Sequence, residues 1–135
     1  MTAQELRIGN LVNLCFEHKP GWFIASVTNI YDNNTIDTDS VYVVNKVKYY
    51  FEGVPLTEYW LLMFGFEDRV GLWVLTKELP NTMIIIHQTL NGFSFSWSDA
   101  NDRMILKIQF VHQLQNLYFA LTSEELSLTD KPKEG

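Results

Sequence analysis

Three histidines (His18, His87 and His112), one cysteine (Cys15) and three close acidic pairs (Asp37 with Asp39, Asp99 with Asp102, Glu124 with Glu125) are the side chains of this chain whose chemistry suits catalysis or metal binding. Paired metal ligands sit two residues apart on a strand or four apart on a helix, and no two of these histidines have that spacing. A cysteine nucleophile needs an imidazole within hydrogen-bond reach. Cys15 and His18 fall on opposite faces of a strand and its following turn, so Cys15 reads as a small buried hydrophobe. Asp37 and Asp39 share a face of an extended segment, while Ser98 to Asp102 has the composition of a turn. Neither pair has a histidine or lysine beside it in sequence to divide acid from base roles. The patterns Gly-x-x-x-x-Gly-Lys, Gly-x-Gly-x-x-Gly and Gly-x-Ser-x-Gly are absent, which removes the common nucleotide-cofactor and hydrolase signatures. The chain therefore reads as non-catalytic, with no cofactor and no metal site.

Composition is consistent with that reading. A length of 135 residues, 47% of them hydrophobic and 14% aromatic, suits one domain with a substantial core. A single cysteine excludes an intrachain disulfide and suits a reducing compartment. The opening Met1 to Arg7 carries Glu5 and no apolar run behind it, so neither a signal nor a transit peptide is expected. No apolar stretch approaches the roughly 18 residues of a membrane span. A formal net charge of −6 opposes attraction to nucleic-acid phosphates and to anionic lipid. Lys46 and Lys48 read as solvated strand-edge residues rather than as a basic patch.

The elements follow from periodicity and turn residues. Between Asn10 and Phe51 the residues favour short strands, about 10–16, 22–31, 34–38, 41–45 and 47–52, as in a small curled sheet. Leu6 to Val12 looks like the first strand of an SH3-like barrel, a likeness of shape alone. A first helix begins at Thr57 as N-cap, with Leu56 placed to pack on Leu61, and ends at Gly65 with Phe66 folding back. Its residues Tyr59, Trp60, Leu61, Leu62, Met63 and Phe64 are apolar on nearly every side. That helix must be covered all round, by two sheets of its own domain or by another subunit. Further strands at about 72–76, 83–88, 93–97 and 103–109 make an antiparallel meander, with Asn91-Gly92 as its strongest turn signal. Phe93, Phe95 and Trp97 alternate with Ser94, Ser96 and Ser98.

In the final helix Phe110, Leu114, Leu117, Tyr118 and Leu121 make the expected core stripe, which leaves His112, Gln115, Asn116 and Phe119 on the opposite, outer side. A phenylalanine among amides on a solvated face suggests a contact, either with a second subunit or with a loop of the same chain. Phe119, His112, Gln115 and Asn116 are therefore the candidate binding residues, with Tyr59 and Trp60 added from the first helix.

Three segments carry a resemblance: Glu5 to Asn10 (Glu-Leu-Arg-Ile-Gly-Asn), Pro55 to Phe66 (Pro-Leu-Thr-x-x-Trp-Leu-x-x-Phe-Gly-Phe) and Val111 to Thr122 (Val-His-Gln-Leu-Gln-Asn-Leu-Tyr-Phe-Ala-Leu-Thr). They cover about a third of the chain. Together they resemble a family of small proteins encoded in phages and mobile elements of Bacteroides-type gut bacteria. Members often carry glycine where this chain has Ser123, which bears on how the last helix ends. The resemblance brings no activity, cofactor or catalytic residue with it. It implies a binding role in phage biology, host takeover or counter-defence against host immunity, inside a bacterial cytoplasm.

The expected fold is α+β: an N-terminal β-rich curled sheet, a short buried helix, an antiparallel meander and a C-terminal amphipathic helix packed over it, in one domain over 1–128 with a disordered tail at 129–135. The expected function is a non-enzymatic binding protein that sequesters or blocks a host protein or a small nucleotide signal and forms a homo-oligomer, with no membrane or nucleic-acid partner. A minor structural component of a phage particle, acting through oligomer packing, is the alternative.

Overall fold

A computed structural model describes residues 1–17, 19–40, 49–68, 74–80, 82–90, 92–97 and 106–129 of the chain. The fold is α+β with a β-rich N-terminal part and a C-terminal helix. Two compact units emerge, Met1–Pro55 with Phe110–Glu125, and Leu56–Gln109 with Leu126–Gly135.

In the first unit β1 (Leu11–Phe16), β2 (Lys19–Ile30), β3 (Ile36–Thr38) and β4 (Tyr49–Gly53) form an antiparallel sheet in the order β3-β2-β1-β4. The period-2 pattern of β1 explains its two faces. Val12, Leu14 and Phe16 are buried with Ala25, Val27 and Ile36, while Leu11, Asn13 and Cys15 turn the other way. Cys15 is therefore half-buried on the outer face, paired with Tyr50, and not a core residue. Irregularities in register between Leu14 and Phe16 and between Val27 and Asn29 bend the long β2. The Tyr49 hydroxyl ties the β3 edge by accepting from the Ile36 N–H and donating to its carbonyl, both at 3.0 Å. The strand expected at 41–45 lies outside the described residues.

Leu6 to Asn10, expected as strand, is not one. Ala3–Glu5 is a 3-10 turn and the chain reverses at Gly9, whose φ is +96°. The Asn10 side chain accepts the Arg7 N–H at 2.7 Å, and such a local bond competes with a ladder bond. Helix α2 (Val111–Thr122) belongs to this unit, not to that of the meander. It ends at Ser123, whose φ of +60° occupies the left-handed position that glycine favours, with its N–H on the Phe119 carbonyl at 2.7 Å.

The second unit holds α1 (Glu58–Met63) and, among the described residues, the meander β5 (Glu67–Asp68), β6 (Val74–Glu78), β7 (Met83–Thr89), β8 (Gly92–Trp97) and β9 (Leu106–Ile108), paired in chain order. Thr57 caps α1 by accepting the Trp60 N–H. At the other end the Phe66 N–H reaches the Leu61 carbonyl and the Gly65 N–H the Leu62 carbonyl, each at 3.0 Å, which is the Schellman arrangement. The helix is not covered all round: Leu61 is fully buried, but Tyr59 is 60% exposed. One turn and a half is enough for one inward residue and an open outer side. In the hairpin Thr89 pairs with Gly92, which begins β8, and Asn91 of the expected turn lies outside the described residues. Ser96 is buried as well as Phe93 and Phe95, so both faces of β8 are covered there. Thr129, placed by sequence in a disordered tail, donates from N–H and hydroxyl to the Met63 carbonyl. No helix among the described residues is long and apolar enough to cross a membrane.

The two helix ends give substitutions of opposite sign. Gly65→Ala forces an L side chain into φ +88°, with its Cβ 3.0 Å from the Lys77 amine, and should cost about 1 kcal/mol or more. Ser123→Gly relieves the corresponding strain and should add up to about 1 kcal/mol. Urea unfolding of both variants checks the signs.

Candidate binding site

The start of α2 sits against the loop that leads into β1, and a polar network joins them. Asn10 and Gln115 are buried, at 0% and 4% exposure. The Gln115 carbonyl oxygen accepts the Leu11 N–H at 2.9 Å and its amide donates to the Gly9 carbonyl at 3.2 Å. Asn116 accepts from the Asn10 amide at 2.9 Å and from the Arg7 guanidinium at 2.8 Å, and donates to the Glu5 carbonyl at 3.2 Å. Arg7 also pairs with Glu125 and lies over the Phe119 ring, its Cζ 4.1 Å from the centroid. Gln115 and Asn116 thus supply the bonds that the irregular loop backbone lacks.

This arrangement rotates α2 from the expected orientation. Val111, His112, Leu114, Gln115 and Tyr118 face inward, whereas Leu121 is 39% exposed and Phe110 and Leu117 are only half-buried. The expected outer quartet divides. His112 and Gln115 are interior, Asn116 is half-buried in the network, and Phe119 is partly exposed with Arg7 of the same chain on its ring. Amides counted as solvent-facing are inside because loop backbone groups satisfy them. Tyr59 and Trp60 lie on α1 in the other unit, edge to face at 6.2 Å.

One turn before Gln115 stands His112, 2% exposed, its ring stacked on Phe110 at 5.7 Å and 15°. Neither ring nitrogen has a hydrogen-bond partner among the described residues. Burial pushes its pKa below the ordinary imidazole value, and Glu5 only partly opposes the shift. Gly53 at the end of β4 makes room for this pair. A Cβ there would lie 2.7 Å from Phe110 Cδ1 and 3.1 Å from His112 Cε1.

His112 and Phe110 line a cleft of about 530 Å³ that continues to Trp22, Asn13, Glu52 and Glu5, with Met1, Gly53 and Pro55 completing the wall. Strand register explains the polar wall, since Asn13 is opposite Glu52 on one side and Ile24 on the other. The Thr2 N–H donates to Glu5 at 2.7 Å and holds that carboxyl below its usual range. Trp22 is 49% exposed. A second hollow, of about 540 Å³, lies by Tyr31, Asp32 and Asp37, where Asp37 accepts the Tyr31 hydroxyl at 2.6 Å.

Among the described residues no three His, Cys, Asp or Glu side chains are grouped to hold a metal ion. His87 is exposed on β7, and Asp39 accepts the Ser26 N–H at 2.8 Å. His18, Asp99 and Asp102 lie outside the described residues. The chain matches no family model, no curated protein and no solved structure.

Of the cleft-lining residues His112 alone was among those expected to bind, and it was expected on the outer side of α2, where it is not. Trp22 and Ile24, two residues apart on one strand, were the available signal for an apolar outer face. Glu5, Glu52 and Gly53 carried none, because only the pairing of β1 with β4 and the seating of α2 assemble them.

Gln115→Ala leaves the Leu11 N–H and the Gly9 carbonyl without their partner and should cost about 1–3 kcal/mol by denaturant unfolding. His112 gives a pH signature. Its folded-state pKa lies below the free value of 6.5, so as pH falls the unfolded chain takes up the proton first. Its contribution is full above that value and is lost as pH drops through the folded pKa. Stability should decline from about pH 7 toward pH 5 in the wild type, and the decline should be smaller in His112→Phe.

Proposed function

We propose that this chain is a non-enzymatic binding protein that sequesters or blocks a component of a bacterial host cell, as the phage-type resemblance implies. The observation that carries the reading is the outer face of the N-terminal sheet. Trp22, Ile24 and Tyr50 are exposed at 49%, 53% and 49%, and half-buried Leu11 and Cys15 stand between them. Register gives these side chains one face: Leu11 is opposite Ser26, Asn13 opposite Ile24 and Glu52, and Cys15 opposite Tyr50. Large apolar groups gathered on one exposed face, with polar groups among them, suit a protein partner. Aromatic residues are the side chains that most often anchor such contacts.

A nucleotide signal fits the cleft less well than a protein fits this face. Trp22 offers a stacking surface, but Glu5 and Glu52 would oppose phosphates, and no lysine or arginine is among the cleft-lining residues. Of the two expected kinds of partner, a host protein or a nucleotide signal, this face favours the protein, although none of its residues was among the expected binding residues.

Ile24→Asp places a charge at the centre of this face without touching the core. It should lower retention of a stoichiometric host-cell partner in pull-downs at least about tenfold while leaving the circular dichroism unchanged. Retention equal to the wild type would overturn the reading. A fall in sedimenting mass of the isolated protein on Ile24→Asp would instead assign the face to a second copy of the chain.

A further inference from the structure

We infer that the His112 cleft takes a small organic cation, an amidinium or protonated amine carried on a flat ring. This deepens the binding reading above by naming a ligand class for the cleft that adjoins the sheet face.

Four observations converge on that class. First, His112 is 2% exposed and lines the cleft, and neither of its nitrogens has a partner among the described residues. A neutral imidazole offers one donor and one acceptor, and its acceptor suits an N–H group of a ligand. Buried polar atoms left in this condition call for an explanation, and a ligand supplies one.

Second, the wall carries more negative charge than positive, two carboxylates against the Met1 amino group. Glu5 and Glu52 are the ionisable acids that line it, with no lysine or arginine among the lining residues. Glu5 already accepts from Thr2 and interacts with the Met1 amino group, so the charge argument rests chiefly on Glu52. A planar amidinium matches a carboxylate with two parallel N–H donors.

Third, most of the amides at the beginning of α2 already have acceptors. The Val111 N–H is held by the Val54 carbonyl at 2.8 Å and the Gln113 N–H by the Phe110 carbonyl at 3.1 Å. The Phe110 N–H is held by the Gln113 side chain at 3.1 Å. Two of the amides by which a helix start usually binds phosphate or carboxylate are thus taken.

Fourth, the indole of Trp22 is half exposed at the cleft, where a flat ring or a cation can lie on it. A volume of about 530 Å³ is in the range of small-ligand sites.

The probes are benzamidine, benzyl alcohol and benzoate, three single-ring compounds that are cationic, neutral and anionic, titrated into the full chain by calorimetry and by chemical shifts of the indole N–H signals. Benzamidine should bind saturably at one site, and benzyl alcohol roughly tenfold more weakly or not at all. Benzoate should not bind. Glu52→Gln, Trp22→Ala and His112→Phe should each weaken benzamidine by roughly tenfold. Glu52 and Trp22 are not core residues, so these two variants decide the matter even where His112→Phe unfolds. Equal binding of benzoate and benzamidine, unchanged affinity in Glu52→Gln, or no benzamidine binding overturns the inference. Partner retention in Ile24→Asp scores the sheet face, and benzamidine affinity in Glu52→Gln scores the cleft. Failure of the cleft and failure of the sheet-face reading are therefore scored by different variants.

Discussion

One buried carboxamide sets the geometry of the first unit. Gln115 accepts the Leu11 N–H and donates to the Gly9 carbonyl, so a single side chain closes both ends of the reversal that starts β1. Its burial would be costly without those partners, and the loop backbone would be equally costly to bury without Gln115. Each makes the other tolerable. Around this pair Asn10, Asn116 and Arg7 extend the network to Glu5 and Glu125, and the Arg7 guanidinium covers Phe119. Long-range contacts between residues 5–11 and 115–125 are thereby made mostly of directional bonds, which fix rotation as well as distance.

That rotation matters for the site. His112 is three residues before Gln115 and therefore on the same side of α2, one turn toward its start. Anchoring Gln115 to the loop leaves His112 turned inward beside Phe110, against the Gly53 backbone at the end of β4. The cleft is what remains between this stack and the outer-face residues Asn13, Trp22 and Glu52. Helix seating and sheet register, two features decided far apart in sequence, meet in one small volume. A glycine at position 53 and a neutral, desolvated imidazole at 112 are the local conditions for it.

The legible parts of the chain were those governed by local rules. Thr57 and Gly65 mark the ends of α1 by capping chemistry alone, and the alternation of Val12, Leu14 and Phe16 marks a strand face. What misled was the assumption that amides face water. In α2 a wheel that counts Leu117 and Leu121 as core and Gln115 as surface is turned the wrong way, because the loop before β1 offers Gln115 better partners than solvent does. Leu6 to Asn10 failed as a strand for the same reason, since Asn10 bonds locally to Arg7. Phe119, singled out as a misfit among polar groups, has Arg7 of the same chain on its ring, which is the second of the two contacts expected for it. The cleft was illegible because Glu52 and Gly53 acquire meaning only from the β1–β4 register.

The most direct test of this account is native-state hydrogen exchange at the Leu11 amide, whose acceptor is the Gln115 side chain and not a strand carbonyl. If the buried carboxamide fixes the loop, Leu11 exchanges as slowly as Val27, whose N–H is held by the Asn10 carbonyl, and opens only with the unit as a whole. Exchange of Leu11 at the rate of an open loop, with Val27 still protected, would mean that Gln115 does not hold the reversal and that the inward turn of His112 has some other cause.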